Sequence, residues 1–200
     1  NFMAQTGDPQ GTGAGGSELP DLKGEFTFRR GRDSGFAPVE NSGPGLRGIM
    51  GSIPVVTQPD AQMFVTADFK TSAQGLFCPG VAGMARAGSP DSANSQFFLM
   101  MGAREQLDGI YTAFGRVVSG LDVVGKLKKG SDAEDGKVTD PDIMTRVRMA
   151  SALPEAERPT VRVLNAGSAA FAERIAAARA ARGAAFSVCD IQPVAEVTGG

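Results

Sequence analysis

Ala93-Asn94-Ser95-Gln96-Phe97-Phe98-Leu99 is followed shortly by Leu107-Asp108-Gly109 and then by Phe114-Gly115-Arg116-Val117. The first stretch, continued by Met100 and Met101, has a polar start and a near-continuous hydrophobic run, the pattern of a buried strand. Phe97 and Phe98 point to opposite faces of such a strand, so one of them belongs to a core. Outward from it, Val81-Ala82-Gly83-Met84-Ala85 is small, apolar and strand-like, and the turn signal Gly88-Ser89-Pro90-Asp91-Ser92 lies between the two. Thr112–Val118 reads as the next strand. Phe2-Met3-Ala4-Gln5 reads as the middle of another, so the natural product is expected to extend upstream of Asn1.

The chain has 200 residues, 42% hydrophobic and 21% charged, which fits one soluble globular domain plus an appendage. A net charge of −2 lacks the basic excess that nucleic acid demands. No apolar run approaches the roughly 18 residues of a membrane-spanning helix. The sequence contains no His, which removes the commonest general base and metal ligand. Cys78 and Cys189 cannot build a zinc site alone. The plainer reading is two partly buried thiols, and pairing stays open.

The Gly-rich stretch Gly7–Gly16 reads as a turn-rich rim, because no helix and no Gly-Lys-Ser/Thr ending follows it to hold a phosphate. Residues 29–75 carry repeated Pro and Gly and are too long for an ordinary connection. They are expected to hold short strands, with Ile49–Ile53 and Phe64–Ala67 as the paired pieces. Leu121, Val124 and Leu127 predict a helix stopped at Gly130, and Ile143–Met149 alternates like a final barrel strand. After Pro154 the character changes. Thr160–Leu164 predicts a strand, Ala169–Arg182 a helix capped by Gly183, and Phe186–Ile191 another strand. Residues 151–200 therefore read as a C-terminal extension that packs against and stabilises a domain at 1–150.

The ordered motifs resemble the cyclophilin family of peptidyl-prolyl isomerases. Phe2-Met3-Ala4-Gln5-Thr6-Gly7-Asp8 is similar to the family's Phe-Met-x-Gln-Gly-Gly-Asp, with Thr6 in place of one Gly. Met84-Ala85-Arg86-Ala87-Gly88 is similar to its Met-Ala-Asn-Ala-Gly turn, with Arg86 in place of Asn, and Ser95-Gln96-Phe97-Phe98 matches its core motif. The resemblance covers residues 1–22 and 76–149 and treats about 29–75 as an insertion. It implies a mainly β fold: an antiparallel barrel, incomplete at the N-terminus, with a C-terminal α/β extension. A barrel without its opening strands and first helix is expected to have open edges and, alone, to be unstable, incomplete or dependent on rearrangement of its C-terminal strand and helix.

The resemblance also implies a site. Phe2, Met3, Phe98 and Leu107 would form an apolar floor for a prolyl ring. Gln5 would supply an amide near the substrate backbone, Ala85, Arg86 and Ala87 would present backbone groups to an extended peptide, and Gly13 would let the loop approach. Gln96 would line the adjoining pocket, and Tyr111, where many members have His, would form an aromatic rim, as in bacterial-type members. The aromatic position often filled by Trp is Gln106, so weak binding of cyclosporin is expected. The implied activity is cis-trans isomerisation of Xaa-Pro bonds in peptides and folding protein clients, with no cofactor and no metal. Rotating the partly double C–N bond crosses a barrier of ~20 kcal/mol, and a guanidinium suits the twisted amide because its donors are permanently charged. The family's arginine lies upstream of Asn1, so no residue of this sequence is assigned that role. The alternative is a proline-peptide-binding or chaperone-like module without catalysis. The residues do not decide between bacterial periplasm and cytoplasm.

Overall fold

The structure is a computed structural model that describes residues 2–43 and 45–199. Strand β1 (Met3–Thr6) opens the chain. Strands β2 (Phe28–Arg30), β3 (Phe36–Ser42), β4 (Gly45–Met50), β5 (Ile53–Thr57) and β6 (Thr71–Gly75) follow. Then come β7 (Val81–Arg86), β8 (Ala93–Met100) and β9 (Ala113–Arg116). One antiparallel sheet has the order β1-β8-β7-β9, and a second, five-stranded one has the order β2-β6-β5-β4-β3. The fold is mainly β as expected, and the two sheets do not close into a barrel. The stretch read as an insertion is the second sheet. Its β4–β5 hairpin turns at Gly51-Ser52, with Met50 opposite Ile53 and Gly51 at φ +63°.

Three expectations in the first 150 residues are corrected. Phe64–Ala67 is not a strand. A 3₁₀ turn over Asp60–Val65 starts after Pro59 and folds Met63 under the loop, leaving Phe64 and Val65 outside. The helix after Gly120 is one turn long, α1 (Leu121–Val124), because Gly125 interrupts it well before Gly130. Ile143–Met149 forms no strand. Alternation builds a strand only where a neighbouring edge accepts its backbone, and here Ile143, Val147 and Met149 are 81%, 62% and 73% exposed. Asp142 holds the start of that segment by accepting from the Lys128 N–H (2.8 Å).

The C-terminal extension contains β10 (Thr160–Val163), α2 (Ala169–Arg182) and β11 (Ala195–Thr198), and β10 pairs antiparallel with β11. Helix α2 is capped by the Ser168 hydroxyl, which accepts from the Phe171 N–H (3.2 Å), and it ends at Gly183, whose φ of +55° suits a residue without Cβ. Phe186–Ile191 is not a strand. Ser187 and Asp190 form a reciprocal capping box that turns Val188–Asp190 into a 3₁₀ turn, satisfying locally the groups a ladder would need.

One core runs through both sheets and the extension. Val39 and Ile49 meet Phe77, Val81, Phe98 and Met100, and Phe171, Val188 and Ile191 belong to the same cluster. Polar ties reinforce it. The Val188 N–H donates to the Glu40 carboxylate (3.0 Å), and Arg179 donates to the Val39 carbonyl. The buried Arg116 guanidinium donates to the carbonyls of Pro79 (3.1 Å), Ser52 (3.1 Å) and Ile191 (3.0 Å), and its burial pushes its pKa down to about 10. Cys78 and Cys189, whose pairing the sequence leaves open, are joined as a disulfide with Cα atoms 4.9 Å apart. Folding around Ile191 and Arg116 brings together two cysteines separated by 111 residues, which spacing alone does not reveal.

A cross-link across so long a separation constrains the unfolded chain strongly and is worth about 2–5 kcal/mol. Reduction, or the Cys189→Ala variant, is expected to lower the urea midpoint accordingly. Equal midpoints for oxidised and reduced protein would remove this tie from the account.

Candidate functional site

Strand β8 writes the site along one face. Asn94, Gln96, Phe98 and Met100 alternate with Ser95, Phe97 and Leu99, so the first four share a side. Register adds the neighbours: Gln5 of β1 lies opposite Phe98 and Met3 opposite Met100, while Gly83 of β7 lies opposite Phe98 from the other edge. The face therefore runs from polar amides at one end to aromatic and aliphatic groups at the other. Phe97 leaves on the opposite face and packs edge-on against Phe114 (6.2 Å between centroids).

At the apolar end, Phe98 is 2% exposed and meets Phe77 (5.5 Å) and Tyr111 (5.8 Å, edge-on), and Phe77 meets Tyr111 at 6.5 Å. Half-buried Phe2, Met3 and Leu107 pack against the hydrophobic core to which Phe77 and Phe98 belong. Gly83 makes the arrangement possible: a Cβ there would stand 2.5 Å from both the Phe77 and Phe98 rings. The segment 104–108 fixes Phe77 by its backbone. The Phe77 N–H donates to the Asp108 carboxylate (2.7 Å), and the Phe77 carbonyl accepts from the Arg104 N–H (3.0 Å). A 3₁₀ turn over Glu105–Leu107 then presents Leu107.

At the polar end, Gln5 Nε2 donates to Gln96 Oε1 (2.8 Å), and Gln96 Nε2 donates to the carbonyls of Gly13 (3.2 Å) and Gly15 (2.7 Å). The Asp8 carboxylate organises the loop by accepting from the N–H groups of Gln10 (2.8 Å), Thr12 (2.8 Å), Gly13 (2.7 Å) and Gly15 (3.1 Å). These donors, Gln10 foremost, hold its pKa well below the ordinary carboxylate range. Gly13 owes its place to its φ of +82° rather than to close approach, since a Cβ there would meet nothing within 4 Å. Gln5, Gly13, Gly15 and Gln96, together with Ala85, Arg86, Ala87 and Asn94, line a cavity of about 560 Å³.

The structure thus places Phe98 in the hydrophobic core with Phe2, Met3, Leu107 and Tyr111 packed against that core, and Gln5, Gly13, Ala85, Arg86, Ala87 and Gln96 around the cavity. Gln106 is exposed. Sequence reasoning missed Phe77 and Asp108 as supporting residues. An aromatic immediately before the Cys-Pro-Gly turn, and the acid inside Leu-Asp-Gly, are the signals that mark them. No group of three or more His, Cys, Asp or Glu side chains arranged to hold a metal is present among the described residues.

The site thus sets a polar cavity lined by amides and the edge of β7 beside an aromatic cluster on the same face of β8. Comparison with known proteins carries this further. The family model for cyclophilin-type peptidyl-prolyl cis-trans isomerases matches residues 1–149, and the chain belongs to that family. A probable peptidyl-prolyl cis-trans isomerase of Brucella abortus is 56% identical over 66 residues, covering 33% of this chain and 34% of that protein. A peptidyl-prolyl cis-trans isomerase-like 1 protein of Aspergillus fumigatus is 33% identical over 127 residues, covering 64% of this chain and 52% of that one. The matches therefore span between a third and a half of these relatives' lengths. The crystal structure of a cyclophilin from Hirschia baltica superposes with a TM-score of 0.86 at 28% identity, over 99% of this chain and 73% of the other.

Asp108 supplies a pH test of the support beneath the floor. Burial raises its pKa from 3.8 to about 6, against the Phe77 N–H, which favours the charged form. The folded state then binds the proton more tightly than the unfolded state, so stability rises as pH falls from about 6 towards about 4 and is lost as pH climbs back through 6. Asp108→Asn keeps the acceptor for Phe77 without the charge. Its stability relative to wild type is expected to be highest at pH 7 and to fall towards pH 4.5. A wild-type–variant difference that does not change with pH would contradict the assignment.

Proposed function

We propose that this protein catalyses the cis-trans isomerisation of Xaa-Pro peptide bonds and acts on proline-containing peptides and folding protein chains. The observation that carries the reading is the single face of β8 on which Gln96 and Phe98 stand side by side, one in a polar cavity and one in an apolar floor. A prolyl ring on Phe98, Leu107, Phe2 and Met3 loses water at little entropic cost, because the floor is already packed. Gln5 and Gln96 offer amides to the peptide backbone on the acyl side. Ala85, Arg86 and Ala87 offer the edge of β7.

The chemistry asks for no nucleophile, metal or proton relay. It asks that the ring be held while the acyl side rotates, and that a donor meet the prolyl nitrogen as it becomes pyramidal. The family assigns that donor to an arginine upstream of Phe2. Residues 1–150 form the catalytic domain on this reading, and residues 151–200 brace it. Cyclosporin is expected to bind weakly, since Gln106 offers neither an indole ring nor its N–H.

The test is NMR exchange spectroscopy on an Ala-Pro peptide. It compares the chain as given with one extended upstream through the family arginine. Cis–trans exchange peaks are expected with the extended chain, and Leu107→Ala in it is expected to reduce exchange about tenfold through loss of roughly 1–2 kcal/mol of ring contact. An extended, folded chain that gives no exchange peaks sinks the enzymatic reading.

A further inference from the structure

The guanidinium of Arg86 is held in place but not neutralised. It lies over the Tyr111 ring at 4.7 Å, with the Phe26 ring at 5.7 Å. Its Nε and Nη2 donate to the Ile110 carbonyl (3.1 and 2.9 Å), and Nη1 donates to the Ala87 carbonyl (2.9 Å), with the Gly88 carbonyl at 3.5 Å. Every acceptor is a neutral carbonyl, and among the described residues no carboxylate forms an ion pair with Arg86. The side chain is half-buried at the end of β7, where the β7–β8 register shifts, and it lines the cavity beside the proline floor.

Asp21 is the one carboxylate in the described lining of that cavity. It is exposed, and its Oδ1 already accepts from Asn94 Nδ2 (3.0 Å). Solvent and salt attenuate an exposed charge far more than a half-buried one. Arg86 is the one cation in the described lining of the cavity, and it is less exposed than Asp21, while the nearby Asp8 carboxylate is engaged by the N–H groups of its own loop. With at most four of its five N–H groups engaged, and the contact to Gly88 long, the fork still has a donor to give.

We propose that Arg86 makes the cavity selective for acidic side chains, so that the preferred substrates carry Asp or Glu in the residues immediately before the proline. This rests on the groove binding proline peptides as described above. Arg86 acts here through its charge and fork, beyond the backbone groups that its position on the β7 edge presents. Lysine would supply the charge without the planar, pre-oriented donors.

The experiment is an NMR titration of the protein with proline hexapeptides that differ only in Glu, Gln or Lys, placed in turn at each of the two residues before the proline. At low salt, the Glu peptide is expected to bind about five-fold more tightly than its Gln isostere, with Lys weakest. The Glu-to-Gln ratio is expected to fall to near one in Arg86→Gln and to persist in part in Arg86→Lys. In Asp21→Asn the Glu-to-Lys ratio should widen. Because each readout is a ratio between peptides on one protein, a general loss of affinity in a variant does not mimic it. Equal binding of Glu and Gln peptides by the wild type, or a preference that survives Arg86→Gln, overturns the proposal. Absence of binding by every peptide, the Gln one included, overturns the reading of the groove itself and the proposal with it.

Discussion

The contact on which the site depends is the packing of Phe77, Phe98 and Tyr111 across a glycine. Gly83 sits opposite Phe98 on β7, and a Cβ there would collide with both phenylalanine rings and force them to shift. With the rings in place, Phe98 is set between Phe77 and Tyr111 in the core against which Phe2, Met3 and Leu107 pack. Aromatic pairs of this kind contribute about 0.5–1.5 kcal/mol each beyond the area they bury. Their larger effect here is geometric. They bring residues from β1, β8 and the 104–111 segment to one surface.

The support behind that surface comes from parts of the chain far apart in sequence. Asp108 and Arg104 hold the backbone of Phe77, and the next residue, Cys78, is cross-linked to Cys189 of the extension. Arg116 at the end of β9 reaches the Ile191 carbonyl. The extension thus ties down the segment between β6 and β7 and the end of β9, and contributes none of the described lining of the polar cavity. On the opposite side, the Asp8 carboxylate gathers four N–H groups of the Gly-rich loop and holds the carbonyls that Gln96 needs. The two ends of the groove are therefore stiffened by different means: covalent and apolar beneath the floor, hydrogen-bonded around the cavity.

Strands whose patterning serves a single face were legible. Ala93–Met100 and Val81–Arg86 announce themselves, and the motif resemblance implies one site for Gln96, Phe98, Leu107 and Tyr111. Elements that depend on a distant partner were not. Ile143–Met149 alternates correctly, but a strand needs an edge, and no local pattern reports whether one is present. Phe186–Ile191 carries β-prone residues, yet the Ser187–Asp190 box supplies a cheaper set of hydrogen bonds within four residues. The disulfide is the extreme case, since it records a tertiary meeting that neither cysteine's neighbours encode. The charge of Arg86 is intermediate: its type was visible, but that no carboxylate among the described residues pairs with it is a fact of three dimensions.

The central claim is that a prolyl ring rests on the Phe98 floor while the residues before it cross the cavity of Gln5 and Gln96. Intermolecular nuclear Overhauser effects between a bound proline peptide and the protein test it most directly. The account predicts contacts from the prolyl ring protons to Phe98, Leu107 and Met3, and from the preceding residue to Gln96 and Ala87. Prolyl contacts on another face, for example at exposed Phe64 and Phe69 of the second sheet's outer loop, would contradict it.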